Sequence, residues 1–560
     1  MTVVGLKVLI LGGYGTFGGR LAQLLKNEPR VTLLISGRSL EKAQAFCDAL
    51  GGEAKAEPAV FDRDGDVESQ LRALAPHIVV DASGPFQDYH DPYAVVRAAI
   101  ALGIHYLDLA DGSDFVRGVA AFDAQAKAKN LFILSGVSSF PVLTAAVVRK
   151  LSPGMTRVLH VTGGIAPSPY AGVGLNVIRA VASYGGKPIA PRRDGKGTEY
   201  ALISSRRFTI APPGKMPLDP IRFSLVDVPD SVLLPDLWPS LKSVWMGAGP
   251  VPAVLHRALS ALAYVVRLGI FKSLSPFAPM MYRTINVLRW GEHRGGMFVL
   301  VEGEDAIGQP LVRSWHLLAE GDHGPLIPSM ASEVIIRKYL DGVAPLSGAR
   351  SAATDLELSD YQTAFTPRTI TTGVRQEMPR EQDRPLTQRI LGDAWYDLPE
   401  PVRAMHNVAG TSVAEGRASV ERGTNVISRV VATLFQFPKA AADIPVRVTF
   451  RREEGSELWT RDFAGRKFSS IQSQGYGRFE RLLCETFGLF AFGVALVHEG
   501  GRLRVIVRKW TAFGIPMPRA LAPFGEAYES PDNGRFNFYV EINLPLIGLI
   551  VRYRGWLVTV

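Results

Sequence analysis

Gly13, Gly15 and Gly18 stand at the spacing Gly-x-Gly-x-x-Gly, with Tyr14, Thr16 and Phe17 between them. Val8 to Leu11 before them is a short apolar run suited to a strand buried on both faces, and Leu21, Leu24 and Leu25 after them repeat at helical spacing. In such a strand, turn and helix, Gly13 makes the tight turn, Gly15 admits a pyrophosphate to the backbone and Gly18 lets helix and strand pack closely. Free N–H groups at the helix start then face the phosphates. About twenty residues beyond the turn, where an NAD site carries Asp or Glu for the ribose 2′-hydroxyl, this chain has Gly37-Arg38-Ser39, then Lys42. A guanidinium forms paired hydrogen bonds to phosphate and stacks on adenine, so Arg38, Ser39 and Lys42 favour NADP over NAD.

Asp62 follows a third strand, Ala59 to Phe61, and suits either an adenine contact or a helix cap. A fourth, Ile78 to Val80, runs into Asp81-Ala82-Ser83-Gly84-Pro85-Phe86, on the crevice side of an open parallel sheet. Ser83, Gly84, Pro85 and Phe86 would flank the nicotinamide ribose there. Hydride transfer also needs a proton donor or acceptor. The candidates are His316 and His323, whose imidazoles suit general acid–base work, and Asp111, just past the fifth strand. Each has a plain structural reading beside the catalytic one: a hydrogen-bonded sheet histidine, a loop histidine, a capping aspartate. His90, His105 and His160 have no partner at ligand spacing, so no metal site is expected. A serine nucleophile elbow and a P-loop lysine are both missing from the sequence, which argues against hydrolase and kinase chemistry.

These residues are positioned by strands and helices alternating through residue 150, the pattern of a doubly wound α/β sheet. The Gly-Gly-Tyr-Gly-Thr-Phe-Gly turn, Gly37-Arg38-Ser39, Ser83-Gly84-Pro85-Phe86 and His105-Tyr106-Leu107-Asp108 together resemble the saccharopine dehydrogenase-like NADP-binding family. The resemblance runs to about Ala145 and more weakly to about Phe365. It implies a Rossmann domain over 1–150, interrupted by or followed by an α+β domain over 151–365 that closes over the nicotinamide, and an NADP-dependent oxidoreductase acting on a small molecule. It does not specify the substrate. Within 151–365, Lys187 to Gly249 reads as a long irregular excursion, a lid or binding loop. Met297 to Glu302 and Pro310 to Ala319 read as a hairpin.

Residues 366–387, polar and rich in proline, read as a linker. Beyond them the pattern alternates: Val446, Val448 and Phe450 with Arg447, Thr449 and Arg451, and Phe536, Phe538, Val540 and Ile542 with polar neighbours. Period two means antiparallel strands with one dry face, curved around a helix or into a half-barrel. Arg389-Ile390-Leu391-Gly392, Trp459 to Phe463 and Gly514 to Pro518 make 388–560 similar to a bacterial domain of unknown function fused behind such dehydrogenase-like domains.

The formal net charge of +9 favours anionic partners, and no arginine tract interleaved with aromatics points to nucleic acid. Two distant cysteines, Cys47 and Cys484, and an apolar start interrupted by Lys7 lead to the expectation of a cytoplasmic chain. Pro252 to Phe271 is the most hydrophobic helix. Leu255, Leu259, Leu262, Val266 and Ile270 fall within roughly 80° of one another, and His256, Arg257, Arg267 and Lys272 project elsewhere. That helix suits either a core or a peripheral membrane contact through 252–272. A homodimer is the default expectation. Two other readings stay open: an NADP-binding protein without turnover, and a peripheral lipid-binding protein acting through its C-terminal sheet.

Overall fold

Leu6–Leu11 (β1) is buried at every position but one, as the innermost strand of a parallel sheet must be. The computed structural model describes residues 5–86, 89–189, 198–249, 253–287, 289–377 and 384–560. After β1 come Thr16–Leu25 (α1), Val31–Gly37 (β2), Leu40–Leu50 (α2), Lys55–Val60 (β3), Val67–Leu74 (α3), Ile78–Asp81 (β4), Ala94–Leu102 (α4), His105–Asp108 (β5) and Phe132–Ser135 (β6). The spatial order is β6-β5-β4-β1-β2-β3, with Gly348–Ser351 added parallel to β6. The order reverses between β1 and β4. A crevice therefore opens at the carboxyl ends of these two strands.

The chain divides into two compact units, one of Met1–Phe208 with Ile221–Thr372 and one of Thr209–Pro220 with Gly373–Val560. The stretches read as separate domains over 1–150 and 151–365 thus share a unit, because Gly348–Ser351 returns to the first sheet. The second sheet of this unit sets Ser205–Phe208, Ile221–Leu225, Ser243–Ala248, Arg157–Ala166, Gly295–Glu304 and Pro310–Ala319 side by side. Three of these strands and the helix Asp230–Leu237 lie in the stretch 187–249, which the sequence suggested was irregular. The strands are short and their partners are distant: Ser243–Ala248 pairs parallel with Arg157–Ala166. Residues 190–197 of that stretch lie outside the described residues.

The hydrophobic helix spans Ala253–Arg267, and Pro252 lies outside the described residues. Leu255, Ala263 and Val266 face inward, and so does His256, 3% exposed with Nε2 3.3 Å from Ser224 Oγ. Ile270 falls beyond the helix end and is exposed with Leu268 and Phe271. Among the described residues no helix is long and apolar enough to cross a membrane.

The stretch 366–387 is no plain linker: Ile370–Glu377 is a strand and Leu386–Leu391 a helix, with 378–383 outside the described residues. The strands from Thr411 to Thr559 form one antiparallel sheet, and Phe490–Glu499 pairs with Arg502–Ala512 to close it into a ten-stranded barrel. Alternation works as expected. Val446, Val448, Phe450 and Trp459 point inward, with Leu391, Trp395, Val402 and Met405 from the preceding helical turns packed against them. Outward positions carry ion pairs such as Arg417–Asp443 and Arg447–Glu415.

Within that core His406 sits between Thr387 Oγ1, 3.1 Å from Nδ1, and Glu529 Oε2, 2.5 Å from Nε2. Burial by itself lowers an imidazolium pKa, but Glu529, with Glu457 behind it, outweighs burial and raises His406 above its ordinary value. A raised histidine stabilises the fold fully below the unfolded value near 6.5 and loses that contribution as pH climbs through the folded value. The thermal midpoint of the second unit should therefore fall by roughly 2–4 °C per kcal/mol lost as pH rises from 6 to 9. Calorimetric scans across that range should show the fall in the wild type and a flatter profile in His406→Gln.

Candidate functional site

At the crevice between β1 and β4 lies a cleft of about 550 Å³. Its floor depends on close backbone contacts. Gly12, at φ +68°, makes the left-handed turn, so the tight turn falls one residue earlier than the motif suggested. A methyl group on Gly18 would stand 2.4 Å from the Gly12 carbonyl oxygen, which is why α1 can start directly against the end of β1. Gly15 is the N-cap of α1, and no side chain caps it. By contrast α2 is capped by Ser39 Oγ, which accepts from Lys42 N at 3.3 Å, and α3 by Asp66.

The opposite wall comes from the helix Leu175–Tyr184, whose N-cap is Gly174, again without a side-chain cap. Gly174 packs against Thr16, where an added methyl group would meet Oγ1 at 2.5 Å. Asn176 Nδ2 donates to the Gly84 carbonyl at 2.8 Å, tying this helix to the loop after β4. Residues of the first turns of both helices, Thr16 and Phe17 with Leu175 and Asn176, line the same cleft. Uncapped helix starts leave N–H donors and a partial positive charge for an anion.

Along the sheet, β2 and β3 bring Gly37, Arg38 and Asp62 to one end of the cleft, the turn brings Tyr14, Gly15, Thr16 and Phe17 to its middle, and Ser83, Gly84, Pro85, Phe86 and Asp111 line the other end. The Tyr14 phenol lies on Gly37 and accepts the Ser39 N–H at 3.2 Å. Arg38 is exposed and has no ion-pair partner among the described residues. Gly13, Gly18, Ser39 and Lys42 do not line the cleft. The two glycines pack beneath it, and Ser39 Oγ caps α2 by accepting the Lys42 backbone N–H. Asp62 lines the cleft while its carboxylate accepts the Asp64 N–H at 3.1 Å, so it serves a turn.

Asp111 is the one catalytic candidate that the fold brings to this cleft. His316 is fully buried in the second sheet, 2.9 Å from Ser314 Oγ and stacked on Phe208, and His323 sits on a loop 2.8 Å from Thr369 Oγ1. Close to Asp111 lie Tyr184 and Asp227. Burial raises the Tyr184 phenol, with Asp111 and Asp227 adding to the shift. Burial also holds Asp227 above the usual carboxylate range, although Ser113 Oγ donates to it at 3.2 Å. Behind them Asp108 Oδ1 accepts from Ala110 N, Ser135 Oγ and Gly136 N, and burial pushes this carboxyl up to about 7.

Arg63 is a site residue the sequence did not single out. Its guanidinium pairs with the fully buried Asp81, donates to the Pro92 carbonyl at 2.8 Å and lies 3.5 Å over the Tyr89 ring. Asp81 in turn accepts Ser83 Oγ at 2.5 Å, and Ser83 Oγ is 2.8 Å from the Tyr89 hydroxyl. This network fixes the loop that carries Ser83 to Phe86. Arg179 and Asn176 were also not singled out, since only tertiary packing places their helix across from the glycine turn.

Sheet order and cleft together are those of an NAD(P)-binding, dehydrogenase-like fold. Residues 8–134 match the family described as Saccharopine dehydrogenase NADP binding domain, and residues 398–557 match a Domain of unknown function, DUF4166. The first match falls on the parallel sheet that carries the cleft, and the second on the barrel. A search of curated proteins finds no match. Among solved structures, saccharopine dehydrogenase (L-Glu forming) from Saccharomyces cerevisiae is 14% identical, covering 67% of this chain and 100% of that one at a TM-score of 0.43. Biliverdin reductase from Synechocystis, solved with biliverdin and NADP+, is 12% identical over 65% of this chain and 96% of its own at 0.29. The WlbA dehydrogenase from Thermus thermophilus, solved with NAD and alpha-ketoglutarate, is 11% identical over 61% and 90% at 0.28.

Removing one partner of a buried ion pair leaves the other charge uncompensated, which costs about 3–5 kcal/mol. Arg63→Met should lower stability by an amount near the bottom of that range, and Arg63→Met with Asp81→Asn should recover more than half of it. Denaturant titrations of the two single variants and the double variant measure the coupling.

Proposed function

We propose that this protein is an NADP(H)-dependent oxidoreductase acting on an apolar small molecule. The observation that carries the nucleotide assignment is Arg38: an exposed guanidinium at the end of β2, without an ion-pair partner among the described residues and on the same cleft as two uncapped helix starts. Such a donor set fits a pyrophosphate in the middle and a 2′-phosphate at the β2 end. When bound, the nicotinamide supplies the hydride. In this reading the chain's own residues divide the remaining work. Gly15, Thr16 and the start of Leu175–Tyr184 hold the phosphates, Ser83 to Phe86 set the ring against the substrate, and Asp111 gives or takes the proton. Phe86, Leu109, Leu175 and Val177 on the wall near Asp111 support an apolar substrate, because burying their surface against one excludes water from the reacting carbon.

Calorimetric titration of the purified protein with NADPH and NADH tests the proposal. The wild type should prefer NADPH, and Arg38→Ala should weaken NADPH by about ten- to a hundredfold, the worth of a charge-assisted hydrogen bond, while NADH changes little. Equal loss for both nucleotides would remove Arg38 from the 2′-phosphate, and binding of neither would end the oxidoreductase reading.

A further inference from the structure

The two ends of the C-terminal barrel differ in kind. Thr411–Arg422 runs toward one end, and every neighbouring strand is antiparallel, so connections 423–440, 464–465, 488–489, 513–526 and 545–547 gather there. Connections 454–455, 475–482, 500–501 and 533–534 gather at the other. Among the described residues of these connections, the second end exposes one large apolar side chain, Tyr476. The first end exposes many. Val426, Ile427, Val430 and Leu434 come from the helix Val426–Leu434, each at least 60% exposed. Leu489, Phe513, Ile515 and Leu546 come from the turns, and Leu521 and Phe524 from the segment between them.

That helix lies over the barrel mouth. At its start Asn425 Nδ2 donates to the Ile547 carbonyl at 2.6 Å and Ser428 Oγ to that of Leu549. At its far end Phe435 meets Phe490, which meets Phe513. Ser428 and Ala432 face the barrel, so the exposed valines, isoleucine and leucine look away from it. A helix of a water-facing domain turns polar residues outward; this one turns Val426, Ile427, Val430 and Leu434 outward beside Arg429 and Thr433, and so large an apolar share of an outer face is covered by something. The surrounding charge says what. Connections at this end hold Arg429, Lys439 and Arg519 against the single acidic Glu526. In a two-fold contact between copies the basic residues of one rim would face those of the other. Apolar tips ringed by basic side chains fit the boundary between the acyl chains and anionic headgroups of a bilayer.

We infer that this end of the barrel docks on anionic membrane surfaces, with the helix Val426–Leu434 and the Leu489, Phe513 and Leu546 turns inserted at the headgroup boundary. The inference is independent of the nucleotide assignment.

Flotation of the full chain with vesicles of phosphatidylcholine alone, or mixed with phosphatidylglycerol, tests it. The wild type should float with the anionic vesicles and release as salt rises. Ile427→Glu with Val430→Glu, and separately Leu546→Glu in a turn, should each cut the bound fraction by about tenfold or more while keeping the wild-type melting profile. Leu268→Glu with Ile270→Glu, on the exposed apolar surface of the other unit, should leave flotation unchanged. No vesicle binding by the wild type at low salt overturns the proposal. So does undiminished binding by the folded rim variants, loss of binding in the Leu268 and Ile270 variant alone, or a rim substitution whose only effect, by light scattering, is to split a dimer.

Discussion

The missing side chain of Gly18 is the constraint from which the nucleotide unit is built. With the Gly12 carbonyl 2.4 Å from where its methyl group would be, only glycine lets α1 begin against the end of β1. Gly12 has its own constraint, since a methyl group there would stand 3.0 Å from both the Ala82 carbonyl oxygen and Ser83 Cα. The turn is thus wedged between α1 and the end of β4. Two strand ends and a helix start are brought within contact of one another, and the cleft opens where they meet. An alanine at either position would displace backbone, which cannot rotate out of the way as a side chain can.

The arginines at the ends of β2 and β3 show how one side-chain type serves two tasks. Arg63 is nearly buried and fully engaged by Asp81, Pro92 and Tyr89, so it holds a loop. Arg38 is exposed and has no ion-pair partner among the described residues. In water an exposed charge gains little from a lone surface partner. Its value lies in keeping its hydrogen-bond fork free for a planar, doubly charged group.

Local pattern made the first unit readable where sequence neighbours are also spatial neighbours. Strand, turn and helix are consecutive, so the glycine spacing announced β1, α1 and the cleft, missing only that the left-handed turn belongs to Gly12. Long-range pairings were not readable. Arg63 was not singled out, because Asp81 becomes its partner only when β4 and β3 take their places in the sheet. Ser314-Trp315-His316 carries the residue types of a site, yet strand pairing turned His316 into the sheet against Phe208. In the second unit, period two told inside from outside at Val446, Val448 and Phe450. It could not tell an open sheet from a closed barrel, since alternation is the same in both and closure rests on the pairing of Phe490–Glu499 with Arg502–Ala512. The short strands of 187–249 gave no periodic signal long enough to read.

Thr209–Pro220 leaves the first unit between Ser205–Phe208 and Ile221–Leu225, two strands that pair with each other, and belongs to the second. The Ala211 carbonyl receives Arg375 Nε at 2.6 Å, the Gly214 carbonyl receives His498 N at 2.9 Å, and Thr209 Oγ1 donates to Glu480 at 2.7 Å. A fragment cut at Gly373 would carry the whole barrel and still lack these partners. On the ribosome the loop emerges long before the residues it must meet, so the second unit is completed only when synthesis has passed His498. The gene can therefore not be read as two cassettes joined end to end: the first piece of the later module is encoded inside the earlier one.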